Sequence, residues 1–209
     1  MPDDVPVHYV DDALIVIDKP AGLLAVPGRG DDKQDCAAAR VQALHADAMV
    51  VHRLDQATSG LMLFARGLAA QRSLSRAFEE RRVDKRYRAI VCGVMADDEG
   101  LIDLPLSCDW PRRPRQQVDA VRGKPAQTRW RVWARDAAAN TTQVELQPLT
   151  GRSHQLRVHL QAIDHPIVGD ALYGEEAFVA PRLMLHACGL TIPHPVDGRP
   201  MNFSSAAPF

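Results

Sequence analysis

The chain predicts an α+β fold with a mixed, mostly antiparallel sheet and flanking helices. Three observations carry that reading. Strand-like runs outnumber helical ones along the 209 residues. Only a few stretches space their apolar residues as a helix does. Two longer strand-like runs, 126–135 and 142–149, stand either side of a turn-rich 136–140, the pattern of a hairpin.

In chain order, Asp12-Ala13-Leu14-Ile15-Val16-Ile17-Asp18 is an apolar run bounded by acids, a short buried strand. Lys19-Pro20-Ala21-Gly22-Leu23-Leu24 is a turn and Val26-Pro27-Gly28-Arg29-Gly30 a loop, because Pro and Gly break regular structure. The Ala-rich 34–46 reads as a helix, and 61–66 as a strand. Over 68–82, Leu74, Ala77 and Phe78 recur at helical spacing, with Arg72, Arg76 and Glu80 on other faces. Residues 85–92 alternate: Tyr87, Ala89 and Val91 point one way, Arg86, Arg88 and Ile90 the other. A short strand covers 101–106, and the prolines in Asp109-Trp110-Pro111-Arg112-Arg113-Pro114-Arg115 make a loop. Ser153 is expected to cap a helix running to Ile163. Leu156, Leu160 and Ile163 form its apolar stripe, with Arg157 on the flank. Residues 182–187 and 190–192 read as the last strands.

Composition excludes several classes. Hydrophobic residues at 46% and charged residues at 24% describe an ordinary globular chain, long enough for one domain with a sizeable core or two small ones; a single domain over 1–209 is expected. A net charge of −1 means that any nucleic-acid site is a local basic patch. Cys36, Cys92, Cys108 and Cys188 are far apart, and His154, His159 and His186 have no carboxylate in ligand register, so no metal is expected. No apolar run approaches the roughly 20 residues of a membrane span, and nothing resembles a secretory signal, so no membrane partner and a cytoplasmic location are expected.

Chemistry concentrates in His52-Arg53-Leu54-Asp55-Gln56-Ala57-Thr58-Ser59-Gly60, which runs into Leu61-Met62-Leu63-Phe64-Ala65. Asp55 is a lone carboxylate among a His, an Arg and two hydroxyls. By spacing alone it is either a structural turn residue or a nucleophile held at the lip of a sheet. His52 is either a base or an oriented structural histidine. Arg53 either binds a phosphate or acid, or fills the gap left by a displaced base. Ser59 lacks the G-x-S-x-G elbow of a hydrolase. The basic run Arg112, Arg113 and Arg115 beside Trp110 is either solvated surface or an RNA-gripping loop.

The order HRLDxxTSGLxLFA resembles the catalytic motif of the RluA-type pseudouridine synthases. Further segments match in the same order: Asp18-Lys19-Pro20-Ala21-Gly22-Leu23, Lys85-Arg86-Tyr87-Arg88-Ala89, the run Gly151-Arg152-Ser153-His154-Gln155-Leu156-Arg157-Val158-His159, His165-Pro166-Ile167-Val168-Gly169-Asp170, and Leu183-Met184-Leu185-His186-Ala187. The match spans residue 8 to the end. The middle of the chain, with Cys108-Asp109-Trp110-Pro111 and Gly123-Lys124-Pro125-Ala126, is similar to the dual-specificity branch. Larger members carry an N-terminal S4-like domain, which is not expected here.

The resemblance implies a sheet around a central RNA-binding cleft, no metal and no cofactor. It implies Asp55 as nucleophile, Tyr87 stacked under the target uracil, Arg157 paired with Asp55, and Leu185 in the apolar wall. It also implies action on stem-loops of tRNA, at the anticodon loop, and of large-subunit rRNA; a monomer is expected. The residue types suit that chemistry. Uracil leaves its nitrogen bond to ribose, turns, and rejoins through C5. The carboxylate can attack the sugar, attack the ring or take a proton. An aromatic platform and a dry pocket retain the detached base, which must first be flipped out of the RNA. The alternatives are an RNA-binding or chaperone protein that keeps the fold, and a glycoside-type hydrolase. The second needs a paired carboxylate, and none stands in a matched motif.

Overall fold

The computed structural model describes residues 5–209. Its strands are β1 (Val7–Val10), β2 (Leu14–Lys19), β3 (Ala48–Val50), β4 (Ser59–Arg66), β5 (Asp84–Cys92), β6 (Glu99–Asp103), β7 (Leu106–Cys108), β8 (Gln116–Val118), β9 (Gln127–Asp136), β10 (Thr141–Pro148), β11 (Leu185–Pro193) and β12 (Pro200–Ser204). Its α-helices are α1 (Ala37–Leu44), α2 (Gly67–Glu79) and α3 (Gln155–Ala162). Two compact units emerge, 5–85 with 187–208, and 86–186 with Phe209. The chain leaves the first within β5 and returns to it within β11. Among the described residues no helix is long and apolar enough to cross a membrane.

In the first unit, β2 pairs antiparallel with β1 and β4, β3 with β4, and β11 with β12. Leu14 to Ile17 and Leu61 to Ala65 are buried without alternation, as strands covered on both faces require. The helical stripe over 68–82 forms: Ala70, Leu74 and Ala77 of α2 pack with Leu14, Leu63 and Leu190. Gly60 (φ +113) is the second residue of β4, where a Cβ would lie 2.4 Å from the Ala187 carbonyl oxygen. Glycine alone permits both that φ and that approach.

In the second unit, β10 pairs antiparallel with β5 and β9, and β6 pairs with β9. The hairpin expected between 126–135 and 142–149 is present. Its turn is held by the Ala139 N–H donating to Asp136 Oδ1 (2.9 Å), with Asn140 at φ 52. A smaller pair, β7 with β8, carries 109–115 at its tip. Val158 of α3 packs with Leu106, Ala126 and Tyr173.

Several expectations need correction. The first helix starts at Ala37, capped by Cys36 Sγ, which accepts from the Ala39 N–H at 3.3 Å. Ser153 does not cap α3. The residue before the helix is His154 in the left-handed region, which leaves Ser153 in the preceding turn. The Gln155 side chain instead reaches back and accepts from the Arg152 N–H at 3.0 Å. The short strand read over 101–106 is two strands, β6 and β7, and β11 runs unbroken through the gap left between 187 and 190.

Candidate active site

Asp55 sits, half-buried, in the turn between β3 and β4. The turn closes through the Thr58 N–H donating to the Asp55 carbonyl at 3.1 Å. Leu54, Thr58 and Ser59 beside it are buried. The Lys19–Leu23 segment braces the turn. The Gly22 N–H donates to the Gln56 carbonyl at 2.8 Å, and Gln56 Nε2 returns a bond to the Gly22 carbonyl at 3.0 Å. Lys19 is 0% exposed, and its Nζ donates to the carbonyls of Pro20 (2.8 Å), Leu23 (2.8 Å) and Gln56 (3.2 Å). A buried ammonium is tolerable only when its donors are matched in this way. Sequence reading passed over Lys19. Its one signal is its place directly after Asp18, the acid that ends an apolar strand run, and ahead of Pro and Gly.

His52 resolves to the structural alternative. Its ring stacks on Phe78 (centroids 4.9 Å apart) and its Nε2 accepts from the Leu63 N–H at 2.9 Å. Burial, helped by the Lys85 charge, pushes its pKa down to about 3. A neutral ring pinned to β4 aligns the segment that leads to Asp55. Arg53 is exposed on the same segment.

In the second unit, Tyr87 is half-buried on β5 opposite Leu146 of β10, on the side of Ala89 and Val91, as its alternation predicts. Leu185 is buried at the start of β11. Arg157 is buried too, because α3 is covered on every side from Gln155 to Leu160 and has no exposed flank there. Its Nε and Nη2 each donate to an Asp170 carboxylate oxygen at 2.7 Å, a two-pronged pair with side chains 5% and 0% exposed. The Tyr173 ring lies 5.0 Å from the same guanidinium. The sequence alone does not single out Asp170 and Tyr173, the two residues against Arg157, although Gly169-Asp170 stands inside a matched segment.

The remaining polar residues of that motif anchor α3. Gln155 Nε2 donates to the Gln127 carbonyl (2.9 Å) and Thr128 Oγ1 (3.0 Å), while its Oε1 accepts from Thr150 Oγ1 (2.7 Å). His159 Nε2 faces the Leu104 carbonyl at 3.0 Å, so that nitrogen carries the proton and Nδ1 accepts from Thr128 Oγ1 at 2.9 Å.

The three basic-loop residues separate into different settings at the β7–β8 tip. Arg112 Nε donates to buried Asp109 at 2.7 Å. Arg113 lies over Trp110, 3.8 Å from the ring centroid. Arg115 lies 5.3 Å from the Tyr173 ring, which places it beside the aromatic that also carries Arg157. The Tyr173 hydroxyl accepts from the Gln116 N–H at 2.7 Å and bonds His154 Nδ1 at 2.7 Å. It thereby ties the loop to the start of α3.

The braced Asp55 turn belongs to the first unit, and Tyr87 and the fixed Arg157 to the second. Compared with known families, residues 13–162 match the family described as RNA pseudouridylate synthase, so the chain belongs to that family, whose members are isomerases. The chain is 51% identical over 205 residues to the dual-specificity RNA pseudouridine synthase RluA of Escherichia coli O6:H1, covering 97% of this chain and 93% of that one. It is 51% identical over 205 residues to the RluA of Yersinia pestis, covering 97% and 99%. Among solved structures, human RNA pseudouridylate synthase domain containing 1 superposes with a TM-score of 0.83 at 29% identity, over 99% of this chain and 85% of the other.

Proposed function

We propose that this pseudouridine synthase has dual specificity and converts uridines in the anticodon loop of tRNA and in stem-loops of large-subunit rRNA. The identity to RluA chains over nearly the whole length supports this reading. Asp55 is the nucleophile, Tyr87 stacks under the uracil, Arg157 supplies the cation of the site, and Leu185 lends apolar wall. Arg53 takes the place of the flipped base. Of the three loop arginines, Arg113 and Arg115 hold RNA, while Arg112 braces the loop through Asp109. The chain acts as a single catalytic domain, as a monomer, in the cytoplasm, without metal or cofactor.

The observation that carries the assignment of Asp55 is the bracing of its turn by Lys19, Gly22 and Gln56. A carboxylate used only to close a turn would not need an otherwise costly buried lysine to fix it. In the reaction the N1–C1′ bond breaks, C5 bonds C1′, and the C5 hydrogen leaves as a proton while N1 gains one.

Mapping pseudouridines in tRNA and rRNA from a strain lacking the gene, with and without the gene restored, tests the specificity. Loss and recovery of sites in both RNAs is expected. Sites in one RNA alone would overturn dual use.

A further inference from the structure

The β7–β8 tip holds an arrangement that phosphate gripping does not require. Trp110 is 65% exposed, yet it is not loosely hung. It opens a single 3-10 turn, Trp110–Arg112, preceded by buried Asp109, which holds Arg112. The Asp109 N–H donates to the Arg115 carbonyl at 3.0 Å and closes the loop. Arg113 caps the indole at 3.8 Å, and its Nε also donates to the Trp110 carbonyl at 3.4 Å.

A guanidinium on one face of an indole fixes the ring and leaves the rest of its surface for a second planar partner. Unpaired bases stack on such rings whatever their sequence, and nearby cations suit the phosphates that join them. An apolar protein partner would call for a continuous apolar patch. Here Trp110 stands between Asp109 and Pro111, with Arg112 and Arg113 next along the chain, so charge interrupts any apolar patch.

We propose that Trp110, backed by Arg113, is a stacking platform for one unpaired base of the RNA substrate, a base other than the target uridine. The proposal rests on the RNA reading above. It gives the hairpin tip a second task beyond charge: telling single-stranded loop from closed duplex.

The test uses the full chain and a synthetic RNA stem-loop carrying 2-aminopurine at one loop position at a time, with the same stem closed as a duplex for comparison. Wild type should change the fluorescence at one loop position. Trp110→Ala should abolish that change and weaken stem-loop binding by about fivefold to a hundredfold. It should leave duplex binding within about twofold and the salt slope unaltered, since no phosphate contact is lost. Trp110→Phe should retain most of the signal, and equal melting temperatures exclude misfolding. Unchanged stem-loop binding in Trp110→Ala, an equal loss on duplex, or equal loss in Phe and Ala overturns the platform. Wild-type conversion of the same stem-loop to pseudouridine is scored in parallel, so a failure of the enzyme reading is seen separately.

Discussion

Asp170 receives four hydrogen bonds, from Arg157 Nε and Nη2 and from the N–H groups of Leu172 and Tyr173. With its side chain fully buried, it fixes where the Arg157 guanidinium points. Removing one partner of a buried pair strands the other charge, at about 3–5 kcal/mol. Asp170→Ala should therefore lower unfolding free energy by about that amount in urea, and Arg157→Met by a similar one. The double variant should lose clearly less than the sum. Additive losses would mean that the pair is not the stabilising unit. On the base side, Tyr87→Phe should keep more single-turnover activity than Tyr87→Ala, because stacking needs the ring and not the hydroxyl. Equal loss in both would make the hydroxyl essential and refute the stacking role. Residues of this kind were unevenly legible in the sequence. Tyr87 stood in a clean alternation and fell where expected. Arg157 did not, because helical geometry gives a direction but not what covers it, and α3 is buried on the face that the stripe left polar. Lys19 was hidden for the same reason, since full burial of a lysine depends on three carbonyls, one of which comes from Gln56, far along the chain.

At the scale of elements, the β7–β8 hairpin is where structure changes the expected outcome most. Three arginines in one loop suggest three phosphate contacts, but Arg112 is already paired with buried Asp109. Replacing Arg113 and Arg115 by Gln should flatten the log–log salt dependence of RNA binding by about 1.4–1.8, at roughly 0.7–0.9 counterions per contact. Arg112→Gln alone should change the slope far less. A full unit lost with Arg112 would show that Asp109 releases it to RNA. With a net charge of −1 no diffuse positive field masks such a loss. In the other unit, Leu74→Ala in α2 removes a side chain that is 1% exposed and should cost about 2–5 kcal/mol of stability without altering the turnover of folded enzyme. That helix was legible because its stripe is local. So was the β9–β10 hairpin, from its turn residues. The strands β7, β8 and β12 were not, being three to five residues long and lying among prolines at 105, 111, 114 and 200. They pair with near neighbours along the chain, β7 with β8 and β12 with β11, but no apolar alternation long enough to announce a strand precedes either pairing. The αL residue before α3 also escaped, since Ser153 is the better cap by composition and His154 takes the conformation.

For the whole molecule, buried His159 and half-buried His52 set an acid limit. Burial lowers the pKa of His52 to about 3 and moves that of His159 in the same direction. Unfolded, each titrates near 6.5. In the window below that value the unfolded chain binds more protons, so the histidines' stabilisation is complete above about pH 6.5 and declines as pH falls toward their folded values, by at most about 1.4 kcal/mol per pH unit each. Asp11 and Asp119, held below the usual carboxylate range, contribute only lower down. The urea midpoint should therefore fall between pH 6.5 and 4.5, and His52→Gln should reduce that slope. A midpoint independent of pH over this interval would contradict the neutral assignment of the two rings.

Asp55, the proposed reacting carboxylate, stands on a turn whose bracing by Lys19 and Gln56 does not depend on its charge. Tritium release from RNA labelled at uridine C5 measures the reaction directly, because the C5 hydrogen leaves only when the base rejoins ribose. Asp55→Asn should bind the stem-loop and melt like wild type, yet release no tritium above background. Release near the wild-type rate, from a variant verified by mass, would remove Asp55 from the chemistry and contradict the central assignment.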